Sequence, residues 1–165
     1  MDKLTTEFET YMKEWILNDL SSPVAALNNF SKCPYAKTAF LENKVLFVDG
    51  STNLPAVVEK VIAHWNDQPT EVVVIHLGDS ISSDDIETTV DALNQQYMPE
   101  DFIFLDDHVE NEERMHDVVF NNGKYNVLFL QQKSKLDLAA KKLEKLGYYK
   151  NWTKEYYDEV VSWRS

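Results

Sequence analysis

The single cysteine of this chain lies in the segment Ser31-Lys32-Cys33-Pro34-Tyr35-Ala36-Lys37. A proline directly after a cysteine, followed by helix-forming residues, places the sulfur at the start of a helix. There the unpaired backbone N–H groups and the helix dipole favour a thiolate. A thiolate is both a nucleophile and a metal ligand. The sequence therefore predicts a reactive thiol of low pKa at Cys33.

Histidines and carboxylates follow two predicted strands of this chain. His76 lies at the carboxyl end of the second strand, and Asp106, Asp107 and His108 lie at the same end of the third. In sheets with parallel crossovers, ligands bind beyond the carboxyl ends of the strands. The helix opened by Cys33 leads into the first strand, so it begins near that strand's carboxyl end. We therefore expect the cysteine and the two histidines to share one rim of the sheet.

This set of residues is compatible with two kinds of chemistry and with a structural role. A thiolate with imidazoles suits zinc, iron or copper, and the predicted metal ligands are Cys33, His76, His108 and Asp107. Alternatively, Cys33 is a catalytic nucleophile, a histidine is its base, and Asp106 orients that histidine. In the structural interpretation, the cysteine packs as a small apolar residue and the histidines are surface strand ends.

The order of these residues resembles a bacterial protein family of unknown function. That family has a tryptophan in its first helix, a Leu-Cys-Pro-Phe-Ala-Lys motif, and two strands that end in histidine. Here Trp15, Cys33-Pro34-Tyr35-Ala36-Lys37, Ile75-His76 and Asp107-His108 stand at the corresponding places, although the family's prolines after both histidines are absent. The resemblance implies a Cys/His/His site and brings no established reaction.

The cysteine segment is also similar to the Cys-Pro-Tyr-Cys active site of glutaredoxins. Ala36 stands where that motif has its second cysteine. This second resemblance implies a thioredoxin-like redox protein whose single thiol at Cys33 reacts with glutathione.

The elements that must position these residues alternate between helix and strand. Apolar runs predict strands at 44–48, 71–76, 101–105 and 125–130, and helical spacing or capping predicts helices at 5–20, 34–43, 55–65, 82–97, 136–146 and 153–163. Alternation favours right-handed parallel crossovers, while the fourth strand follows without a helix and can pair antiparallel. The prediction is one α/β domain over residues 1–165. Its sheet has about four strands, is mostly parallel or mixed, and is flanked by helices.

The charge of the chain is strongly negative and unevenly distributed. The net charge is −12, and between Asp79 and Asp117 there are thirteen Asp/Glu residues against one basic residue, Arg114. Such acidity argues against binding of a phosphate backbone, which requires Lys and Arg. It is compatible with a basic protein partner. An alternative function is therefore a non-catalytic acidic interaction module, of the inhibitor or nucleic-acid-mimic type.

Several other classes are not expected from this sequence. One cysteine fits a reducing compartment, the first residues lack a signal peptide, and no apolar stretch is long enough for a membrane span. The four glycines form neither a GxGxxG nor a Walker pattern. We therefore expect a small cytoplasmic enzyme that acts on a small-molecule substrate through Cys33, His76, His108 and Asp106, with a transition metal as its possible cofactor.

Overall fold

The computed structural model describes residues 3–164. Its helices are α1 (Lys3–Glu14), α2 (Ala36–Leu41), α3 (Leu54–Ala63), α4 (Ser83–Tyr97), α5 (Lys133–Lys145) and α6 (Lys154–Val160). Its strands are β1 (Val45–Asp49), β2 (Val72–His76), β3 (Phe102–Asp107), β4 (Arg114–Met115), β5 (Val118–Val119) and β6 (Val127–Gln132). A π-helical turn (Trp15–Leu20) continues α1, and short 3-10 turns lie at Ala25–Leu27, Trp65–Asp67, Met98–Glu100 and Ser162–Arg164.

The main sheet has four strands in the order β1-β2-β6-β3. β1 and β2 are parallel, and β6 is antiparallel to both of its neighbours, β2 and β3. The carboxyl ends of β1, β2 and β3 therefore lie at one rim of the sheet, beside the amino end of β6. The predicted mixed α/β sheet of four strands is confirmed.

Two apolar clusters cover the two faces of the sheet. On one face, α3 and α4 pack on Val73, Ile75, Phe104, Leu128 and Leu130. On the other face, Phe8 and Met12 of α1 pack on Val74, Tyr125 and Val127. Because both faces of β2 are covered, its run of β-branched residues matches the expectation for an inner strand.

Local capping explains where two of the helices begin. The side chain of Asn53 accepts a hydrogen bond from the N–H of Ala56 at 3.3 Å, and that of Ser82 accepts one from Asp85 at 3.1 Å. Asn and Ser are preferred at this position, because a side-chain oxygen there satisfies an N–H group that the helix leaves unpaired.

The structure also contains elements that the sequence did not predict. Segment 108–124, for which the sequence predicts neither a helix nor a strand, holds a small antiparallel hairpin of β4 and β5, with His116 at a φ of 56° in its turn. The helix predicted at 136–146 begins three residues earlier, at Lys133, directly after β6.

Within residues 3–164, none of the helices combines the length and the apolarity that a membrane span requires.

Candidate functional site

Four residues in one register row form the rim of the sheet. Asp49 of β1 lies beside His76 of β2, His76 beside Val127 of β6, and Val127 beside Asp107 of β3. Residues in one row of a sheet point to the same face, and this face is the one that α1 covers. His76 and Asp107 therefore flank Val127, with their backbones roughly 10 Å apart, which is two strand spacings.

His76 is a buried histidine with one engaged and one unpartnered nitrogen. It is only 5% exposed, and its ring packs on Phe8 at 4.7 Å and on Tyr125 at 5.6 Å between centroids. Its Nδ1 lies 3.6 Å from Oδ1 of Asp49, an ion-pair distance rather than a hydrogen bond. Among the described residues, its buried Nε2 has no hydrogen-bond partner.

Asp49 is held as a carboxylate beside this histidine. The hydroxyl of Ser51 donates to its Oδ1 at 2.6 Å, and the N–H of Ser51 donates to the same oxygen at 3.0 Å. These two bonds, and more weakly the neighbouring His76, lower the pKa of Asp49 below its ordinary value. An ionised Asp49 favours a proton on Nδ1 of His76, which leaves Nε2 as the basic nitrogen.

Asp107 is a buried carboxyl group whose two oxygens differ, because one accepts hydrogen bonds and the other has no partner within residues 3–164. It is 4% exposed, and its Oδ2 accepts hydrogen bonds from the backbone N–H of Asn122 at 2.9 Å and from Nδ2 of Asn122 at 2.7 Å. Its buried Oδ1 has no partner among residues 3–164. Burial raises the pKa of Asp107 to about 6, against the lowering effect of Asn122 and with a further rise from nearby Asp106. A carboxyl group with this pKa exchanges protons near neutral pH.

The turn before β6 holds Asp107 in place. Oδ1 of Asn122 accepts from the N–H groups of Lys124 and Tyr125, and its Nδ2 also donates to the carbonyl of Tyr125. The hydroxyl of Tyr11 in α1 donates to the carbonyl of Asn122 at 2.7 Å. The side chain of Asn122 is therefore fixed from several sides, and it fixes one oxygen of Asp107 in turn.

Aromatic rings from α1 close the site. Phe8 contacts His76 and Tyr125 at centroid distances of 4.7 and 5.2 Å, and Tyr11 contacts Tyr125 at 5.4 Å. Nζ of Lys124 lies 5.0 Å from the centre of the Tyr11 ring. Phe8 and Tyr125 therefore both pack against the ring of His76.

Both ring nitrogens of His108, a predicted catalytic and metal-binding residue, have hydrogen-bond partners in the backbone. Its Nε2 lies 2.7 Å from the carbonyl oxygen of Ile81, and its Nδ1 accepts from the N–H of Glu110 at 3.1 Å. A carbonyl only accepts and an N–H only donates, so these bonds fit a neutral ring with its proton on Nε2. Both nitrogens are engaged, and His108 joins the loop after β3 to the loop after β2.

Asp106 points toward a second group of carboxylates. Burial raises its pKa above the ordinary value, as do the nearby charges of Asp91 and Glu159. Burial also raises the pKa of Glu113 to about 7, together with the charges of Asp107 and Asp106. The hydroxyl of Tyr156 donates to Oε2 of Glu113 at 3.2 Å. Asp106 is thus one of several mutually repelling carboxylates, and within residues 3–164 it forms no hydrogen bond with His76 or His108.

Cys33 also departs from the prediction. It does lie just before the first turn of α2, and the N–H groups of Tyr35 and Ala36 lower its pKa. Although the residue is exposed, desolvation by the surrounding protein atoms is the larger effect and raises the pKa of the thiol. Tyr148 lies near this thiol, and its hydroxyl donates to the carbonyl of Lys32 at 2.6 Å. The predicted low thiol pKa is therefore wrong.

The predicted metal ligands do not form a metal centre. Within residues 3–164, no group of three or more His, Cys, Asp or Glu side chains is arranged to hold a metal ion. The reasons are visible at each residue, because both nitrogens of His108 are engaged, Oδ2 of Asp107 is bound by Asn122, and Cys33 lies beside Tyr148. The described residues therefore do not gather Cys33, His76, His108 and Asp107 into one ligand set.

Sequence reasoning missed three residues that shape the rim. Asp49 directly follows the first predicted strand, 44–48, and carries no signal of its own. Asn122 belongs to the turn signal Asn121-Asn122-Gly123, and Phe8 to the apolar stripe of the first helix. No local pattern connects them with His76 or Asp107, since each contact joins residues far apart in the chain.

Comparison of the chain with protein-family models, with curated proteins and with solved structures finds no match. The likeness of the Cys33-Pro34 segment to the bacterial family and to glutaredoxins therefore stays a prediction.

Proposed function

We propose that this chain is a small cytoplasmic enzyme that transfers protons on a small-molecule substrate at the rim of the sheet. His76 is its base, and Asp107 is its acid. The observation that supports this proposal is the shared row of two buried, unpartnered polar atoms, Nε2 of His76 and Oδ1 of Asp107. A buried polar atom without a partner costs about 1–3 kcal/mol, so two of them in one row require an explanation.

The two groups have the complementary properties that acid–base catalysis needs. An ionised carboxylate, Asp49, faces Nδ1 of His76, which makes Nε2 the atom available to accept a proton. Burial keeps Asp107 protonated up to a pH of about 6, so it can donate a proton from Oδ1 while Asn122 holds Oδ2. Positioned acids and bases of this kind typically accelerate a reaction about 10²- to 10⁴-fold.

The surroundings of the row restrict the substrate. The ionised carboxylate of Asp49 repels an anion, which favours a neutral or cationic molecule. The rings of Phe8 and Tyr125 lie against His76 and provide contacts for an apolar part of the substrate. The proposed substrate is therefore a small neutral or cationic molecule with one polar, proton-exchanging group. A base and an acid that flank Val127 support two reaction classes for such a molecule, hydrolysis and isomerisation.

The test is a binding and turnover screen with matched variants. A panel of small neutral and cationic esters, amides and carbonyl compounds is screened for stabilisation of the folded protein and for conversion. Hits are repeated with His76→Gln and Asp107→Asn. His64→Gln is the control, because His64 also pairs with a carboxylate, Asp67 at 2.7 Å, but lies exposed at another place.

We expect each hit to lose turnover in both rim variants and to keep it in the control. The imidazole resonances of His76 should shift when a hit binds. Turnover that survives both rim substitutions would contradict the proposal, as would binding that shifts other residues but leaves His76 unchanged.

A second candidate function is the acidic interaction module, and one observation favours it. Helix α4 exposes Asp84, Asp85, Glu87 and Asp91 and contains no basic residue. None of these four carboxylates forms a salt bridge within residues 3–164. By contrast, Glu112 of the neighbouring loop pairs with Arg114 at 2.6 Å, and Glu113 bonds to Tyr156. We infer that a basic protein partner would bind α4 rather than the loop after β3.

Charge neutralisation on α4 tests this second function. Asp84→Asn, Asp85→Asn, Glu87→Gln and Asp91→Asn are combined in one chain. The control changes the same charge elsewhere, at the exposed residues Glu7, Glu59, Glu144 and Glu155. A salt-sensitive complex isolated with the wild-type chain should be lost with the α4 variant only. Equal loss with both variants would indicate a general charge effect and contradict a docking face on α4.

A further inference from the structure

The β4–β5 hairpin is docked on helix α6 and on the turn that precedes this helix. Met115 of β4 lies in one buried apolar cluster with Tyr156 of α6. Phe120, directly after β5, lies 5.1 Å from Tyr156 between ring centroids. In the hairpin turn, Nε2 of His116 lies 2.7 Å from the carbonyl oxygen of Asn151. Apolar contacts and a hydrogen bond therefore hold together two segments that are far apart in the chain.

Glu113, directly before β4, places a carboxyl group in this interface. Its Oε2 accepts a hydrogen bond from the hydroxyl of Tyr156 at 3.2 Å. Its backbone carbonyl accepts from the N–H of Phe120 at 2.8 Å, and its own N–H donates to Oδ1 of Asn121 at 3.3 Å. The backbone of Glu113 is therefore tied to the residues that follow β5, while its side chain bonds to α6.

The charges that act on this carboxyl group have its own sign. They belong to three carboxylates of the elements packed around it, Asp106 and Asp107 of β3 and Glu159 of α6. Nearby Arg114 pairs instead with Glu112 at 2.6 Å, and within residues 3–164 no Lys or Arg forms a salt bridge with Glu113. Burial and the charge of Glu113 raise the pKa of Tyr156, so its hydroxyl stays neutral. An ionised Glu113 is therefore repelled and poorly solvated, whereas a protonated one is not.

We propose that the proton of Glu113 is a switch for the docking of the hairpin on α6. The hairpin is docked while Glu113 is protonated, and it opens from α6 when Glu113 ionises. The other contacts do not respond in this way, because a neutral His116 ring keeps a proton on Nε2 for the carbonyl of Asn151, and the apolar cluster carries no charge. This inference concerns the conformation of the chain and is independent of the proposed enzyme activity.

The direction and the size of the effect follow from the same surroundings. Burial, with the charges of Asp107 and Asp106, raises the pKa of Glu113 from 4.5 to about 7. The docked hairpin therefore binds a proton that the open hairpin releases. The contribution of Glu113 to docking is fully present below its ordinary pKa and is lost as the pH rises through about 7. Since one pKa unit corresponds to a factor of ten, the docking equilibrium weakens by up to about 300-fold at high pH.

Opening of the hairpin also affects the bonds to Asp107. Asn122 comes two residues after Phe120 and donates to Oδ2 of Asp107 from its backbone N–H and from its Nδ2. Because Asn121 lies between Phe120 and Asn122 and bonds to Glu113, the hairpin and this turn form one continuous segment. We therefore expect both bonds to Asp107 to be less protected once Glu113 is ionised.

The test is amide hydrogen exchange of the full chain over a pH series, read residue by residue by NMR and corrected for the intrinsic exchange rate. The reporter is the N–H of Phe120, and the internal reference is the N–H of Val74 in the inner strand β2, which reports opening of the whole fold. We expect the opening at Phe120 to increase relative to Val74 by at least about tenfold between about pH 5 and about pH 8. Equal pH dependence of the two amides, or no pH dependence at Phe120, would overturn the proposal.

Two matched variants assign the effect to Glu113. Glu113→Gln keeps an oxygen that accepts from the hydroxyl of Tyr156 but cannot ionise, so the hairpin should stay docked and the additional pH dependence should vanish. Glu112→Gln removes the same charge from the exposed neighbour and should leave the pH dependence unchanged. In the wild-type chain, the carboxyl carbon resonance of Glu113 should titrate together with the opening at Phe120. Opening that still depends on pH in Glu113→Gln, or a Glu113 carboxyl group that titrates near 4.5, would contradict the proposal.

Discussion

The buried carboxyl group of Asp107 provides a direct test of the proposed site. Asp107→Asn keeps an oxygen that accepts the two bonds from Asn122 and places an uncharged amide where the unpartnered Oδ1 lies. If Asp107 had only a structural role, its replacement would be destabilising. If its burial is maintained for function, removing the charge should stabilise the folded chain at neutral and higher pH, as at other strained functional sites.

The size of the effect follows from the pKa of the group. The pKa of Asp107 is about 6 in the folded chain and 3.8 ordinarily. This difference corresponds to about 3 kcal/mol, at about 1.36 kcal/mol per unit. Between these two values the folded state binds more protons than the unfolded state. The contribution of Asp107 to stability is therefore fully present below its ordinary pKa and is lost as the pH rises through about 6.

The assay is urea-induced unfolding of wild type and Asp107→Asn over a pH series. Near pH 4 the two proteins should have similar free energies of unfolding, and near pH 8 the variant should be more stable by about 3 kcal/mol. Asp117→Asn, an exposed carboxylate of the same segment, is the control for the loss of one charge. Parallel pH profiles for wild type and Asp107→Asn would refute the reasoning, because they would mean that the carboxyl group does not titrate differently in the folded chain.

Three further predictions concern the hydrogen bonds between Asn94 and the backbone of Phe104, the packing of Phe8 on His76, and the thiol of Cys33. Asn94→Ala leaves the N–H and C=O of Phe104 without their partner, so it should lower the free energy of unfolding in urea by about 2–4 kcal/mol; a loss below about 1 kcal/mol would show that these bonds matter little. Phe8→Ala removes a fully packed ring and should destabilise by about 3–5 kcal/mol while His76 becomes more reactive toward diethyl pyrocarbonate; unchanged labelling would contradict the role of Phe8 as a cover. Cys33 should react with a disulfide reagent more slowly than a free cysteine at neutral pH, because desolvation raises its pKa; a faster reaction would restore the predicted thiolate.

Part of the candidate site could be predicted from the sequence. The positions of His76 and Asp107 at strand ends follow from local apolar runs and from the rule that parallel crossovers gather carboxyl ends at one rim. The structure confirms that placement. The strand-end rule does not indicate how the next residue is bonded. The ring of His108 bonds to the backbone of Ile81 and Glu110 instead.

Cys33 shows a limit of the same kind. Its motif correctly placed it before a short helix, and the expected N–H groups do point to its sulfur. The sequence does not show the packing that desolvates the thiol and raises its pKa, and residues near the thiol include Tyr148, more than a hundred positions away. Desolvation depends on everything that packs around a group, and so it is a tertiary property.

From the sequence one could predict the alternation of strands and helices, the inner position of β2, the capped helix start at Ser82 and the acidity of α4, whereas the cap of α3 stayed open between Thr52 and Asn53. These features follow from residue type and short-range periodicity, which act between neighbours in the chain. Only the tertiary structure places β6 between β2 and β3, so that Val127 separates His76 from Asp107. It also brings Asp49 and Phe8 to His76, and Asn122 to Asp107. It also decided that Asn94 bonds the backbone of Phe104 at the β3 edge of the sheet, whereas no described strand pairs with the outer side of β1. These choices depend on which distant surfaces cover each other when both faces of the sheet are buried, and no local pattern records that.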